Sequence, residues 1–291
     1  MILVVDSGST KTEWALAKHP GDIIFLRTAG FNPYFDRQVC WREEIEEWLN
    51  RGSLSEKIEM VYYYGAGCDM EIHRKQVEKV LREILPSAEI TVDDDMTGAA
   101  KALFHDEQGV ALILGTGTNA GLWGGKSFIQ RSIPLGYLLG DHGSGAVLGF
   151  RLVKAWLDHE LSWEISKAFS DQYNINIRTL KEELYLKGKP NYYLAGFSPF
   201  LMKYHSDKTI KFIIEDEFEK LFEIQIKPLL SSPDDKIRCT GSVAYYFQDI
   251  LCAAARTQGM KIDKILQYPL TDLVRYHINY LKTHDNPATK T

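Results

Sequence analysis

The chain has 291 residues, of which 45% are hydrophobic and 12% aromatic, and its formal net charge is −5. A chain of this length is too long for one ordinary hydrophobic core and is suited to two domains. The hydrophobic content is that of a well-packed globular protein. The 34 basic and 39 acidic residues are spread along the sequence, so no basic patch indicates a nucleic-acid partner.

The cysteines and the hydrophobic runs exclude further classes of protein. Cys40, Cys68, Cys239 and Cys252 lie far apart, and no CxxC pair indicates zinc, an iron–sulfur cluster or a redox pair. No basic segment precedes the apolar run before Asp6, and no uncharged stretch of about 18 residues could cross a bilayer. We therefore expect a soluble, cytoplasmic protein with no membrane partner.

In the first half, strand patterns alternate with helix patterns. The predicted strands are residues 2–5, 13–17, 23–27, 58–64, 90–92 and 110–114. The predicted helices are residues 36–50, 71–85 and 96–104. Three antiparallel strands followed by βαβα predict a mixed sheet with helices on its faces, which binds ligands at the carboxyl ends of its strands.

The second half begins the same way and then departs into a long helical insertion. Strands are predicted at 120–123, 127–130, 237–240 and 265–268, and helices at 144–161, 163–173, 177–186, 197–204, 209–229, 243–258 and 270–282. We place the domain boundary near residues 114–116, which gives lobes 1–115 and 116–291. The insertion could supply a homodimer interface, although amphipathic helices also serve simply as core.

A phosphate-binding turn is predicted directly after the first strand. It reads Asp6-Ser7-Gly8-Ser9-Thr10-Lys11. Gly8 permits a tight turn and a close backbone approach, and the residues around it supply hydrogen-bond donors. Asp6, at the strand tip, suits a nucleotide-bound Mg²⁺, which takes oxygen ligands and keeps several waters. The alternative is an ordinary hairpin turn.

The same pattern recurs in the second half and leads again into a strand. It reads Leu112-Ile113-Leu114-Gly115-Thr116-Gly117-Thr118-Asn119. Two such turns facing each other would clamp a polyphosphate with backbone N–H groups and hydroxyls. Because Gly115 stands where the first turn has Asp6, we predict two phosphate turns and one metal site. A lone Gly-Thr turn of this kind is also a common hairpin.

An acidic run, Asp93-Asp94-Asp95, lies between a predicted strand and a predicted helix. Asp95 immediately precedes the helix, where it could cap the N-terminus and reach the ligand, and Gly98 would allow close approach. We assign it as general base on a substrate hydroxyl, since phosphoryl transfer needs positioning, charge neutralisation and a proton acceptor. The alternative is a solvated acidic loop with a capping aspartate.

Three further segments carry candidate ligands. Asp141, in a Gly-rich stretch before the longest predicted helix, is either a ligand or a helix-start residue, and the neighbouring His142 receives no role. Asn32 lies in an Asn-Pro turn, where its amide could bind sugar hydroxyls or serve only the turn. The third segment is the glycine turn between the predicted strand 237–240 and the predicted helix 243–258. There, Gly241 would let an adenine approach the backbone, Ser242 would cap the helix and Tyr245 would lie along the adenine ring. A plain strand-to-helix turn is the alternative.

Five motifs, in order and spacing, resemble the N-acetylglucosamine kinase-like branch of the BadF/BadG/BcrA/BcrD ATPase family. They are DSGSTKT from Asp6, DMTG from Asp95, LGTGTN from Leu114, PLGYLLGDHGSG from Pro134 and TGSVAYY from Thr240. The resemblance spans nearly the whole chain. It implies an α/β fold of two ribonuclease-H-like, actin-like ATPase lobes with mixed sheets flanked by helices, closing on ATP, Mg²⁺ and a sugar.

The resemblance also implies roles for single residues. Thr10 and Thr116 would contact the ATP phosphates, Asp95 would be the base, and Asp6 would organise the metal through water. The sugar pocket would be lined by Asn32, Asn119, Gly136 and Asp141.

The chain departs from the family pattern at two points. Animal members have Gly-Gly-Trp-Gly where this chain has Ile133-Pro134-Leu135-Gly136, and a glutamate where it has His142. Leucine in place of tryptophan removes a stacking face for a sugar ring and can change which hexose fits. We expect a kinase for N-acetylglucosamine or a related amino sugar.

Two other functions compete with this interpretation. The first is a partner-coupled ATPase of the same fold, which would not need the sugar-side residues; the cysteine pair of the family's CoA-dehydratase activators is not found. The second is a non-catalytic regulator, which would need a DNA-binding segment that the sequence does not show.

Overall fold

The computed structural model describes residues 1–51, 54–232 and 234–284. The strands are β1 Ile2–Ser7, β2 Lys11–His19, β3 Asp22–Ala29, β4 Met60–Gly65, β5 Glu89–Asp94, β6 Gln108–Leu114, β7 Thr118–Gly124, β8 Phe128–Arg131, β9 Ile237–Thr240 and β10 Ile262–Leu266. The helices are α1 Arg42–Arg51, α2 Glu71–Ile84, α3 Asp95–Phe104, α4 Gly145–Leu157, α5 Trp163–Tyr173, α6 Ile177–Tyr185, α7 Pro190–Ala195, α8 Ser198–Lys203, α9 Lys208–Lys220, α10 Ser242–Tyr246, α11 Gln248–Thr257 and α12 Leu270–His284.

The chain divides into two compact units. Unit 1 comprises Met1–Asp106 and the segment from Tyr268 onward, and unit 2 comprises Glu107–Gln267. The division lies before β6 rather than near residues 114–116, because β6 pairs with β7 and β9 of unit 2. The predicted second lobe, residues 116–291, differs from unit 2 at its end as well, because the structure assigns the segment from Tyr268 onward to unit 1. Residues 285–291 of the predicted lobe lie outside the described residues.

Unit 1 is built on a mixed sheet with the strand order β3-β2-β1-β4-β5. β1 pairs antiparallel with β2 and parallel with β4, which pairs parallel with β5. Because side chains alternate along a strand, Leu3 and Val5 join one core with α1 and α2, whereas Ile2 and Val4 join another. The four-residue apolar run of β1 therefore serves two cores, as expected for a strand covered on both faces.

The second core of unit 1 is closed by α12. Leu270, Leu273 and Val274 are each at most 3% exposed and pack with Val4 and Ala15 of the sheet. Full burial of such a side chain contributes roughly 1.5–3 kcal/mol. The return of the chain to unit 1 thus supplies part of that unit's own hydrophobic interior.

Unit 2 repeats this topology. Its sheet has the order β10-β9-β6-β7-β8, with β6 antiparallel to β7 and parallel to β9, and β9 parallel to β10. Written in reverse, as β8-β7-β6-β9-β10, this order corresponds strand by strand to β3-β2-β1-β4-β5 of unit 1, and the strand directions also correspond. The predicted fold class is confirmed, including the helical insertion of α4 to α9, whose apolar residues join the β6–β9 core.

Several predicted helices differ in extent. The helix predicted from residue 36 begins at Arg42, because the preceding turn closes on Asn32 through the amides of Phe35 and Asp36. The helix predicted at 243–258 is broken at Phe247, which is buried. The helix predicted to reach residue 229 changes after α9 into a π-helical stretch, Leu221–Ile226, and then a 3₁₀ turn containing Pro228, which cannot donate the next helical bond.

Across residues 1–51, 54–232 and 234–284, no helix is long and apolar enough to cross a membrane.

Candidate functional site

The first phosphate turn of the sequence connects β1 to β2 and is held by backbone contacts. Gly8 N donates to Lys11 O at 2.9 Å, and Gly30 N, just after β3, donates to Thr10 O at 3.2 Å. A Cβ on Gly30 would lie 2.5 Å from the Ser9 carbonyl group and from Lys11 N. Only glycine at position 30 therefore lets the end of β3 approach the turn so closely.

The hydroxyls of this turn divide into two groups. Ser7 Oγ and Thr12 Oγ1 are buried and lie 2.8 Å apart, so the expectation that Ser7 offers a donor to a ligand is wrong. Ser9 Oγ instead accepts a hydrogen bond from Asn32 Nδ2 at 2.9 Å, and Asn32 Oδ1 accepts from Tyr34 N at 3.0 Å. Asn32 thus serves its own turn and also contacts the phosphate turn.

Carboxylates gather beside this turn. Asp6 pairs with Glu13 across the β1–β2 ladder. The pKa of Asp6 is raised from 3.8 to about 7, chiefly by desolvation and further by the negative charges of Glu13 and Asp95, while the positive charge of Lys11 opposes the shift. The structure therefore brings the predicted metal ligand and the predicted base within electrostatic reach of each other. A cation at this point would relieve the mutual repulsion of the carboxylates.

We expect Asp6→Asn to stabilise the nucleotide-free protein at pH 8. Because the folded-state pKa of Asp6 lies above the unfolded value of 3.8, at about 7, the free energy of unfolding falls as pH rises through this window and levels off above it. The asparagine variant lacks this loss, which amounts to roughly 1–4 kcal/mol. Urea unfolding in EDTA at pH 5 and pH 8 measures it. The advantage of the variant should grow between the two pH values, and an equal difference at both would contradict the assignment.

Sequence reasoning missed the groups that hold Lys11. Its ammonium lies 3.0 Å from Glu13 Oε2 and 3.8 Å from the ring centroid of Tyr268. Arg27 also pairs with Glu13, at 2.7 Å. Glu13 could have been found from its place directly opposite Asp6 on the predicted hairpin, whereas nothing local to Tyr268 indicates the contact.

The acidic run places its cap one residue earlier than expected. Asp94 is the N-cap of α3, since its carboxylate accepts from Thr97 N at 2.9 Å and from Thr97 Oγ1 at 3.2 Å. Asp95 is the first helical residue and is partly exposed. Gly98 does not serve ligand approach as expected, because its Cβ would lie 2.7 Å from Tyr64, so this glycine lets α3 pack on β4.

The second phosphate turn, between β6 and β7, is fixed to the start of α4. Gly115 N donates to Gly117 O at 3.0 Å, Gly145 N donates to Gly115 O at 2.8 Å and Ala146 N donates to Thr116 O at 3.1 Å. The first amides of α4 thereby find partners in the turn instead of remaining unpaired. A Cβ on Gly115 would meet no atom within 4 Å, so the space beside this residue is open.

Asp141 lies against this second turn. A Cβ on Gly117 would be 3.0 Å from Asp141 Oδ2, and the Thr118 backbone N–H bonds to the Asp141 carboxylate. Burial raises the pKa of Asp141 to about 6, with Thr118 and His142 opposing the shift. Ser144, not Asp141, caps α4, because its hydroxyl accepts from Val147 N at 3.2 Å. Of the two interpretations of Asp141, the helix-start role is therefore wrong.

The remaining sugar-side candidates lie in the same unit as Asp141. Asn119 is on β7 opposite Ile113. Gly136 has a φ of +72°, and its carbonyl accepts from Gly140 N at 2.8 Å, which closes a turn shortly before Asp141.

The predicted adenine turn also meets the second phosphate turn. Gly241 has a φ of +115°, and its Cβ would lie 2.5 Å from Leu114 O at the end of β6. Tyr245 is exposed, as a stacking face requires, at 37%. The expected capping by Ser242 is wrong, since α10 starts at Ser242, and its N-cap, Gly241, has no side chain to accept a bond.

Comparisons with known proteins give matches among solved structures. No protein-family model matches the chain, and no curated protein matches it. A candidate N-acetylglucosamine kinase from Porphyromonas gingivalis is 35% identical, with 96% of this chain and 99% of that chain covered and a TM-score of 0.88. A candidate N-acetylglucosamine kinase from Chromobacterium violaceum is 15% identical, with 94% and 98% covered and a TM-score of 0.68. An activator of 2-hydroxyisocaproyl-CoA dehydratase from Clostridium difficile, with bound ADPNP, is 12% identical, with 100% and 97% covered and a TM-score of 0.53. The last two show a shared fold.

Proposed function

Because the chain belongs to the N-acetylglucosamine kinase-like branch of the BadF/BadG/BcrA/BcrD ATPase family, we propose that it is an ATP-dependent sugar kinase. The acceptor is a hydroxyl of N-acetylglucosamine or a related amino sugar. The observation that carries the proposal is the grouping of Asp6 and Asp95 beside the first phosphate turn, one carboxylate suited to a cation and one to a proton.

In the proposed reaction, Asp95 accepts the proton of the sugar hydroxyl. The hydroxyl oxygen forms a bond to the γ-phosphorus while the bond from that phosphorus to the β,γ-bridging oxygen breaks, so ADP leaves with the electron pair. Thr10 and Lys11 on the first turn and Thr116 on the second donate to phosphate oxygens. Backbone N–H groups of both turns, other than those of Gly8 and Gly115, which bond within their own turns, would add donors that are already in position for the transfer.

Asp6 fits a magnesium ion, because its carboxylate lies among other negative charges and gains from a cation. It would hold the ion through water. When bound, Mg²⁺ neutralises phosphate charge.

The sugar-side residues favour a kinase over a partner-coupled ATPase. Asp141 lies against the second phosphate turn through Gly117 and Thr118, and Asn32 contacts Ser9 of the first. The Asp141 carboxylate can accept a hydrogen bond from a sugar hydroxyl, and the Asn32 amide oxygen, which already accepts from Tyr34 N, has a second lone pair for one more. Phosphoryl transfer to water would need neither residue. Asn119 and Gly136, in the same unit as Asp141, are further proposed ligands of the sugar.

ADP release from magnesium-ATP tests the proposal. Purified protein is assayed without sugar and then with N-acetylglucosamine, glucosamine, N-acetylmannosamine and glucose in turn, and sugar phosphate is measured by mass spectrometry. We expect release that depends on one amino sugar, with one sugar phosphate formed for each ADP. Sugar-independent hydrolysis would contradict the proposal and favour the partner-coupled ATPase, and no release with any sugar would also count against it.

A further inference from the structure

Glu217 of α9 is a buried carboxylate that binds basic side chains from two other segments. The residue is 3% exposed. Arg151 of α4 donates to its Oε1 at 2.9 Å, and His142 Nδ1 lies 3.4 Å from its Oε2. A buried carboxylate is costly unless its oxygens have partners. Arg151 and His142 together therefore supply a partner for each oxygen.

Other charges surround this carboxylate on α9. Arg151 also pairs with Asp216, and Lys220 lies 2.7 Å from Asp216 and 3.6 Å from Glu217 Oε1. These groups gather at Asp216 and at the Oε1 side of Glu217. His142 lies on the Oε2 side.

The backbone of His142 and the two residues beside it, Asp141 and Gly143, are held by contacts from two directions. On one side, Thr118 Oγ1 donates to His142 O at 3.0 Å, and the Thr118 N–H bonds to the Asp141 carboxylate. On the other side, Gly143 has a φ of +74°, and its Cβ would lie 3.0 Å from the Phe218 ring. The loop thus connects the second phosphate turn to two consecutive residues of α9, Glu217 and Phe218.

We propose that His142 and Glu217 are positioning residues that hold Asp141 in place, with Arg151 orienting the Glu217 carboxylate. The inference rests on the proposed function, in which Asp141 binds the sugar. It also gives a reason for the departure at position 142. In this chain a glutamate there would face the Glu217 carboxylate, and two carboxylates at this distance repel.

Steady-state kinetics with a compensating pair of variants tests the inference. His142→Glu is expected to raise the KM for the sugar about tenfold or more, with kcat changed less than about threefold. The double variant His142→Glu/Glu217→Gln should return the KM to within about threefold of wild type, because the new amide at position 217 can accept from Arg151 and donate to the new carboxylate at position 142. Asp171→Asn, which removes one member of an exposed ion pair with Lys167 in the same unit, is the matched control.

Hydrogen exchange of residues 140–145 provides a readout that does not depend on activity. We expect faster exchange in His142→Glu and recovery in the double variant. If the His142→Glu protein does not fold, His142→Leu takes its place, because leucine removes the hydrogen-bond donor without adding a charge. This variant should also raise both the exchange rate and the KM for the sugar.

The outcomes separate the two proposals. If wild type shows no sugar-dependent ADP release, the proposed function fails, and the exchange data alone then decide whether His142 and Glu217 pair. Unchanged hydrogen exchange in both His142→Glu and His142→Leu would overturn the inference. A double variant with a higher sugar KM than His142→Glu would overturn it too. A sugar KM within twofold of wild type in an active, folded His142→Glu protein would overturn it as well.

Discussion

Replacing Asp95 with asparagine is expected to lower kcat by about 10²-fold or more while magnesium-ATP binding is retained. Asparagine keeps the size of the side chain at the start of α3 but cannot accept the proton of the sugar hydroxyl. The cap of α3 is unaffected, because Asp94 provides it. Turnover is measured by ADP release and binding by calorimetry.

Asp93→Asn is the matched control for this variant. Asp93 belongs to the same acidic run but accepts a hydrogen bond from Asp94 N at 2.9 Å and has no assigned role in transfer. Near-wild-type turnover in Asp95→Asn would end the assignment of Asp95 as general base. An equal loss in Asp93→Asn would show that the run as a whole, rather than one carboxylate, is required.

Replacing Gly149 with alanine is expected to lower the free energy of unfolding by about 3 kcal/mol or more. An added Cβ on this α4 residue would lie 1.9 Å from Leu194 O and 2.6 Å from Leu194 C, both main-chain atoms of α7. A backbone carbonyl cannot rotate aside as a flexible side chain can, so α4 and α7 must separate. The intrinsic helix preference of alanine, about 1 kcal/mol over glycine, opposes but does not cancel this cost.

Urea unfolding followed by circular dichroism measures this effect. Gly115→Ala in the same unit is the matched control for stability, since its Cβ would meet no atom within 4 Å. Its free energy of unfolding should stay within about 1 kcal/mol of wild type. Comparable unfolding midpoints for Gly149→Ala and wild type would show that the two helices can move apart at little cost.

The parts of the fold that were predictable depend on local patterns. Four apolar residues directly before Asp6 indicate a strand buried on both faces, and β1 does contribute to two cores. The recurrence of a strand, a Gly-Thr turn and a strand at Leu114 to Thr118 indicated a repeat, and the two sheets share one topology. The two phosphate turns were visible for the same reason.

The rest of the site depends on contacts between residues distant in sequence. Glu217 touches His142 only because α9 packs beside the loop, and Tyr268 meets Lys11 only because the chain returns to unit 1. The cap at Asp94 rather than Asp95 shows a second limit, since aspartate suits either position and only the backbone decides.

The route of the chain through unit 1 has a consequence for synthesis on the ribosome. Unit 2 is one continuous segment, so its interior can form as soon as that segment has emerged. The sheet of unit 1 emerges first, but the side chains that cover its Val4 face, such as Leu273, are made only after unit 2. During translation the part of this apolar surface that α12 covers therefore stays exposed until the last helix is made, and exposed apolar surface of this kind promotes aggregation.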